Sequence, residues 1–389
     1  MRVAVYYPWV YLRSGIERAL IEIKRRSRHD IRIYTNHFDP GGTYPELAGM
    51  NVTELSRVSV ERTYSAVTAA AMSILRTRLD SAEHDAVLVC CDGLGPLLTF
   101  ANRRKPVVNL CFTPLRATYD DAYRDRLLAH GGPARPVKRA AETAFRLVDR
   151  MAWRNFDAVI CIAETVRRRV ADNRLFPESK IHLAYPGVEP GHAAPGDLSE
   201  PMFLLPGRIM WTKNIELAIS GFRLFLKHAP PALQRFRLHI AGMVDAKSRP
   251  YLARLQHLAG GEERISFETM VSDDRMRALY AQAWAVLAPA FNEDFGLTPI
   301  EAMAHGRPVL ACNRGGLRET VLDGVTGLLV EPEPAAFAAG LRRIAQDEVL
   351  ARQLGAQGPA RAATFTWPRF VETIDSVLDG VQHVQRISA

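Results

Sequence analysis

At 389 residues the chain exceeds what a single hydrophobic core ordinarily serves, so two domains are expected, each large enough to bury its own core. With 48% hydrophobic and 24% charged residues, the composition excludes extended disorder, and no apolar run reaches the length of a membrane span. The net charge of +8 suits an anionic partner, whether nucleotide, membrane surface or nucleic acid, without choosing among them.

Short β-branched runs alternate with helical patterns from the start. Arg2 to Tyr7 reads as a strand, Ile16 to Arg25 as a helix, and Asp30 to Thr35 as a second strand. An Ala-rich helical pattern lies between Glu61 and Leu79, and Ala86 to Cys91 and Pro106 to Phe112 read as further strands. This rhythm predicts a parallel sheet with helices on both faces. The turn Pro8 to Gly15 then falls at the carboxyl edge, where open parallel sheets bind ligands. Gly15 is either a plain turn glycine or a point where backbone comes close to a ligand. The opening run MRVAVYYPWV is too short for a signal peptide, so a cytosolic protein with at most peripheral membrane contact is expected.

From Arg116 to Arg154 the chain is rich in Arg and is interrupted by Gly131-Gly132-Pro133. Val137, Ala141, Ala144, Phe145, Val148 and Ala152 recur at helical spacing, with Lys138, Arg139, Arg146 and Arg150 on the remaining faces. The pattern describes a surface helix whose basic face is either simply solvated or drawn to an anionic membrane. Phe156 to Ile162 is a strand, Glu164 to Asp172 a basic helix, and Ile181 to Tyr185 strand-like. The Pro- and Gly-rich stretch from Pro186 to Pro201 is the best domain linker in the chain.

The second half restarts the rhythm. Strands are expected at Met202 to Leu205, Phe236 to Ala241, Arg264 to Phe267, Ala285 to Ala288 and Pro308 to Cys312. Helices are expected at Glu216 to Leu226, Asp273 to Gln282, Glu333 to Gln346 and Asp347 to Leu354. The fold class is therefore α/β, two doubly wound, Rossmann-like domains facing a central cleft. Cys90, Cys91, Cys111, Cys161 and Cys312 all lie in apolar runs away from metal-ligand spacing, as buried free thiols would.

The residues with chemical potential gather in the second half. Gly207 and Arg208 follow a strand, and Lys213-Asn214 opens the next helix, so two cations could neutralise a diphosphate without a metal; they could equally be surface charges. Neither an Asp-x-Asp pair in a suitable turn nor a Walker-type loop is present, so no bound metal is required. Further on, Glu293 precedes the turn Phe295-Gly296-Leu297-Thr298-Pro299. If that turn opens a helix, its amides and the positive end of the helix dipole favour an anionic ligand. A helix beginning near Thr298 would put Glu301 in its first turn, either as a capping-box residue or as an acceptor for sugar hydroxyls.

The pattern Glu293-Asp294-Phe295-Gly296-Leu297, Glu301-Ala302-Met303-Ala304, Gly306-Arg307-Pro308-Val309, Gly315-Gly316, Glu319 and Gly324-x-x-Gly327 resembles the family 4 retaining glycosyltransferases of GT-B fold. Gly207-Arg208 with Lys213-Asn214, Tyr185-Pro186-Gly187-Val188, Ser14-Gly15 and Thr113-Pro114-Leu115-Arg116 extend the likeness over nearly the whole chain. The resemblance implies an N-terminal acceptor-side domain over 1–190, a donor-side domain over 200–365, and a C-terminal helix, 366–389, that returns to the first domain. It implies a nucleoside-diphosphate sugar as co-substrate, with no cofactor and no metal. Arg208 and Lys213 would hold the diphosphate and Glu301 the ribose hydroxyls. Glu293, with the turn Phe295-Gly296-Leu297-Thr298, would hold the donor sugar and its phosphate. Met270 and Val271 would border the base, and the Gly15 loop would approach the diphosphate. The implied catalytic groups are Glu293, Arg208 and Lys213. Trp367 reads as a packing anchor.

One residue departs from the pattern. Where many similar chains carry a histidine before Thr-Pro, this one has Phe112, which cannot donate a hydrogen bond to the sugar. The donor could be a 6-deoxyhexose or pentose, another residue could substitute, or the chain could be a non-catalytic relative that binds a nucleotide sugar or glycan as a partner subunit. The expected acceptor is a glycan, a lipid-linked sugar or a natural product, met by the turns Pro8 to Arg13, Asn36 to Thr43 and Asp92 to Gly95. Nucleic acid is not an expected partner, because the basic residues are not interleaved with stacking aromatics in a recognised module.

Overall fold

Runs such as Ala86-Val-Leu-Val-Cys-Cys91 are apolar on both faces, as a strand covered by helices on each side must be, and they assemble into parallel sheets. The computed structural model describes residues 1–61, 63–129, 135–189, 198 and 200–388. Within its helices, the side chains of 126–129, 135–141 and 384–388, and that of Tyr64, lie outside the description. So do the Gly131-Gly132-Pro133 break, the side chains of Lys138 and Arg139, and most of the expected linker.

The chain divides into two units, Met1–Pro186 with Trp367–Ala389, and Gly187–Thr366. In the first, the strands are β1 (Arg2–Tyr6), β2 (Asp30–Thr35), β3 (Thr53–Glu54), β4 (Ala86–Cys91), β5 (Val107–Cys111), β6 (Ala158–Cys161) and β7 (Ile181–Leu183). They form one sheet in the order β3-β2-β1-β4-β5-β6-β7, with every pairing parallel. The second unit holds β8 (Met202–Pro206), β9 (Arg237–Gly242), β10 (Ile265–Thr269), β11 (Ala285–Ala288), β12 (Val309–Cys312) and β13 (Gly327–Val330). Their order is β10-β9-β8-β11-β12-β13, again parallel throughout. Each sheet reverses its winding once, between β1 and β4 in the first unit and between β8 and β11 in the second. Both units are thus doubly wound.

Among the elements of the second unit that were not foreseen are the helix Arg249–Ala259 and strand β13 (Gly327–Val330). The helix Arg249–Ala259, with Pro250 in its first turn, follows directly on the single turn Ala246–Ser248, which Asp245 caps by accepting from the Ser248 amide at 2.9 Å. Strand β13 is only four residues long. In the first unit the helix Trp367–Ser388 packs on the helix Gly15–Arg26. Asp375 there is 2% exposed and accepts from Ser27 Oγ at 2.6 Å and the Arg28 amide at 3.0 Å. Trp367, 3% exposed, meets Phe370 edge-on.

The helix Arg135–Trp153 sits in a different rotation from the one its apolar spacing suggests. Val148 is 37% exposed, while Asp149, Ala152 and Trp153 are buried. The bulky Trp153 and a hydrogen bond from the Tyr119 hydroxyl to Asp149 at 2.8 Å decide which face turns inward. Burial pushes the Asp149 carboxyl up to about 7, with the Tyr119 bond opposing. An unfolded Asp titrates near pH 4, so the folded chain retains a proton that the unfolded chain has released. That contribution is fully present below about pH 4 and is lost as pH climbs through 7, by about 1.4 kcal/mol per pH unit at most. Asp149→Asn imitates the protonated acid at every pH. Its stability relative to the parent, measured by denaturant unfolding, should rise between pH 4 and 7 and level off above; a pH-independent difference would contradict the retained proton.

Candidate functional site

Strands β8 and β11 are neighbours at the point where the second sheet reverses its winding, so the loops leaving their carboxyl ends lie side by side, where doubly wound sheets bind ligands. The loop after β8 carries Gly207, Arg208 and the single turn Trp211–Lys213, and the helix Ile215–His228 follows. The loop after β11 runs from Pro289 to Gly296 and opens the helix Leu297–Ala304. Several interactions join the two loops. Asn214 Nδ2 donates to the Pro289 carbonyl at 3.1 Å, the Phe291 amide donates to the Thr212 carbonyl at 3.2 Å, and Lys213 Nζ pairs with Glu293 Oε2 at 2.8 Å. The two ion-pair side chains are 23% and 24% exposed, so the pair is screened only in part by water. Lys213, Glu293, Gly296 and Thr298 line one concavity with Leu205 and Pro206.

Glycine permits the close packing that shapes this edge. Gly296 has φ +102° and is the N-cap of Leu297–Ala304, with no side chain capping the first turn. The amides of that turn and the helix dipole therefore favour an anion. Gly316 lies directly against the acidic loop: a Cβ there would stand 2.6 Å from both the Asp294 carbonyl oxygen and Phe295 Cα. Its amide donates to the Glu293 carbonyl at 2.7 Å. Gly242, at the end of β9, lies so close to Gly207 that a Cβ would overlap the Gly207 carbonyl.

The helix begins one residue earlier than expected, at Leu297, so Glu301 is its fifth residue and no capping box forms. Glu301 instead accepts from the Tyr280 hydroxyl at 2.7 Å. Sequence reasoning missed this partner because it lies 21 residues away on another helix, Asp273–Gln282, with no local motif to mark it.

Arg208 is half-buried, and no hydrogen bond or ion pair joins it to Lys213 or Glu293. Met270 and Val271 form the turn after β10. Met270 has φ +58°, is 71% exposed, and its amide donates to the Gly242 carbonyl at 2.9 Å. In the first unit Gly15 begins the helix Gly15–Arg26 behind Ser14, whose hydroxyl is hydrogen-bonded to Glu17. At that unit's own reversal point, Tyr7 donates to Asp92 Oδ2 at 2.9 Å. Phe112 is 7% exposed just after β5, and Thr113 accepts from the buried Arg169 at 2.7 Å.

All five cysteines are buried and unbridged, and Cys91, Cys111 and Cys161 share one row across β4, β5 and β6. Burial pushes the Cys312 thiol up to about 12. Among the described residues no group of three or more His, Cys, Asp or Glu side chains is placed to hold a metal ion, and no helix is long and apolar enough to cross a membrane. Several arginines of the basic segment are engaged internally: Arg116 with Asp120, Arg124 with Asp121, and Arg146 with the Thr118 carbonyl. Leu147, Val148 and Met151 of the helix Arg135–Trp153 are exposed beside Arg150.

Residues 14–192 match the family described as Glycosyltransferase Family 4, and residues 194–361 match Glycosyl transferases group 1. Curated relatives include the D-inositol 3-phosphate glycosyltransferases of Acidothermus cellulolyticus and Geodermatophilus obscurus, 30% and 32% identical over 233 and 235 residues. Each alignment takes in 56% of this chain, but only 52% and 51% of the relative, so the chain spans about half the length of the curated relatives it matches. Among solved structures, the sucrose-phosphate synthase of Thermosynechococcus elongatus aligns with a TM-score of 0.77 at 19% identity, over 99% of this chain and 100% of that one. HepE of Anabaena, in complex with UDP and glucose, aligns with a TM-score of 0.73 at 18% identity, over 98% and 100%. At such identities the likeness carries the fold, GT-B.

The cost of crowding the acidic loop can be measured. Gly316→Ala should destabilise by about 1–3 kcal/mol, seen as a lower denaturant midpoint at unchanged slope. Gly380→Ala is the control, since a Cβ there meets nothing within 4 Å, and it should be neutral or slightly stabilising.

Proposed function

Because the chain belongs to the family 4, group 1 glycosyltransferases, we propose that it moves a glycosyl group from a nucleoside-diphosphate sugar to a hydroxyl acceptor, with retention and without a metal ion. The observation that carries this reading is the Lys213–Glu293 pair, set beside a glycine-capped helix N-terminus at the reversal point of the second sheet. In this reading Lys213 exchanges Glu293 for a phosphate oxygen when the donor arrives, and Glu293 is released to accept from sugar hydroxyls. Arg208, half-buried on the same loop, supplies the second cation. As the glycosidic bond breaks, negative charge grows on the departing phosphate oxygen, and Lys213, Arg208 and the amides of the first helical turn are already oriented to stabilise it. The acceptor hydroxyl attacks on the face the diphosphate leaves and passes its proton to the departing phosphate. Glu301 accepts from the ribose hydroxyls, and the turn at Met270-Val271 borders the base. The acceptor, a glycan, lipid-linked sugar or small natural product, is assigned to the turns of the first unit.

Incubation with a panel of nucleoside-diphosphate sugars, scored for slow donor hydrolysis and for transfer, tests this. Lys213→Ala and Glu293→Ala should each lower kcat/KM by about 10²–10³, with EDTA leaving the parent rate unchanged. Since Phe112 would leave a facing sugar hydroxyl unpaired, an NDP-rhamnose or NDP-xylose donor should outperform NDP-mannose. A preference for mannose sinks the deoxy-sugar assignment. Turnover of no donor, with cellular function surviving Glu293→Ala, would instead favour a non-catalytic partner subunit.

Peripheral membrane contact is a second reading, supported by Leu147, Val148 and Met151 standing exposed beside the exposed Arg150 and Arg154. The chain should co-sediment with phosphatidylglycerol vesicles more than with phosphatidylcholine ones, and Leu147→Glu with Met151→Glu should abolish the difference. Equal sedimentation with both vesicles would contradict it.

A further inference from the structure

We propose that Tyr280 is a positioning residue for the donor: its hydroxyl locks one oxygen of the Glu301 carboxylate so that the other faces the ribose in a fixed direction. The inference rests on the reading of Glu301 as the ribose ligand.

Tyr280 is 3% exposed, near the end of the helix Asp273–Gln282, and donates to Glu301 Oε2 at 2.7 Å. Its ring is itself held in place. It stacks on His305, with centroids 5.1 Å apart and planes 17° from parallel. His305 Nδ1 in turn lies 2.8 Å from the main-chain carbonyl of Glu301. The ring that orients the carboxylate is thus packed on a residue bonded to the same glutamate's backbone.

The two carboxylate oxygens have unequal surroundings. Oε2 is taken by Tyr280, whereas no hydrogen bond or ion pair reaches Oε1 from the described residues. Glu301 as a whole is half-buried. A free carboxylate rotates about its last torsion and presents either oxygen, which disperses the direction of any bond it accepts. One anchored oxygen removes that freedom before the ligand arrives. Burial raises the Tyr280 hydroxyl well above its ordinary range, with the Glu301 charge adding to the effect, so the phenol remains a donor at physiological pH. The chemical consequence is selectivity for a hydroxyl on the sugar ring of the nucleotide over the same ring without it.

The test uses the full chain and calorimetric titration with UDP, GDP and ADP, each against its 2′-deoxy and 3′-deoxy counterparts. The parent should prefer the ribonucleotide to at least one deoxy form by about tenfold or more. Tyr280→Phe retains the stacked ring and removes only the donor. It should lose most of that preference by weakening the ribonucleotide, with the deoxynucleotide affinity unchanged. Equal weakening of both nucleotides, or an unchanged preference, overturns the positioning role, because a purely structural residue cannot distinguish them. Glu301→Ala separates the two levels: if it retains the parent's preference, the ribose reading of Glu301 fails; if it loses the preference while Tyr280→Phe keeps it, only the inference about Tyr280 fails. Should Tyr280→Phe lose its cooperative melt, Tyr280→Leu, an apolar side chain that likewise lacks a donor, carries the same comparison.

Discussion

The second unit is arranged around an opposite-charge contact that its sheet order makes possible. Because β8 and β11 are neighbours in space but far apart in sequence, a lysine that follows one strand meets a glutamate that follows the other, 2.8 Å away. Neither loop could hold such a charge alone at this degree of burial without cost. Paired, each satisfies the other, and the pair keeps a cation and an anion ready at the edge where a helix N-terminus already favours negative charge. In the proposed reading, a ligand carrying both phosphate and hydroxyls would replace the single internal contact with two external ones.

Much of the surrounding structure positions those two loops. Asn214 reaches across to the Pro289 carbonyl, and the Phe291 amide to Thr212, so the loops are joined by neutral bonds that do not depend on the ion pair. Behind the acidic loop, Gly316 lets backbone pass over backbone, and Gly242 does the same beneath Gly207. At the start of Ile215–His228, the Tyr251 hydroxyl is shared between the Ile215 amide and the Glu216 carboxylate, so the first turn after Lys213 is tied to the next helix. Rigidity is thus supplied by contacts that do not involve the side chains of Lys213 and Glu293.

The parallel sheets were legible because their strands are continuous apolar runs bounded by turn residues, a signal that needs no tertiary information. The loop residues Lys213 and Glu293 were also visible, since glycines and charges after a strand stand out against an apolar background. What could not be seen depended on contacts distant in sequence. The helix Arg249–Ala259 was hidden by Pro250, which reads as a break, although proline is well tolerated in a first turn. Val148 looked like a core position, but Trp153 and the Tyr119–Asp149 bond rotate the helix and turn Val148 outward. Glu301 looked like a capping residue because the local pattern is Thr-x-x-Glu. A glycine at φ +102° moved the helix start to Leu297 and gave the carboxylate a different partner.

Glu293 and Glu301 show how one fold gives two carboxylates different duties. Glu293 sits on a loop and is held by a lysine, which in the proposed reading a ligand's phosphate would draw away. Glu301 sits inside a helix and is held by a buried phenol, which no anion displaces, because a neutral donor gains little from a phosphate it cannot reach. On that reading the first carboxylate is exchangeable and the second fixed. In the proposed reading, an exchangeable acceptor suits the sugar, the part of the donor that is handed on during the reaction. A fixed acceptor suits the part that must only be recognised. The distinction follows from the identity of each partner and from its burial, and it depends on no property of the carboxylates themselves.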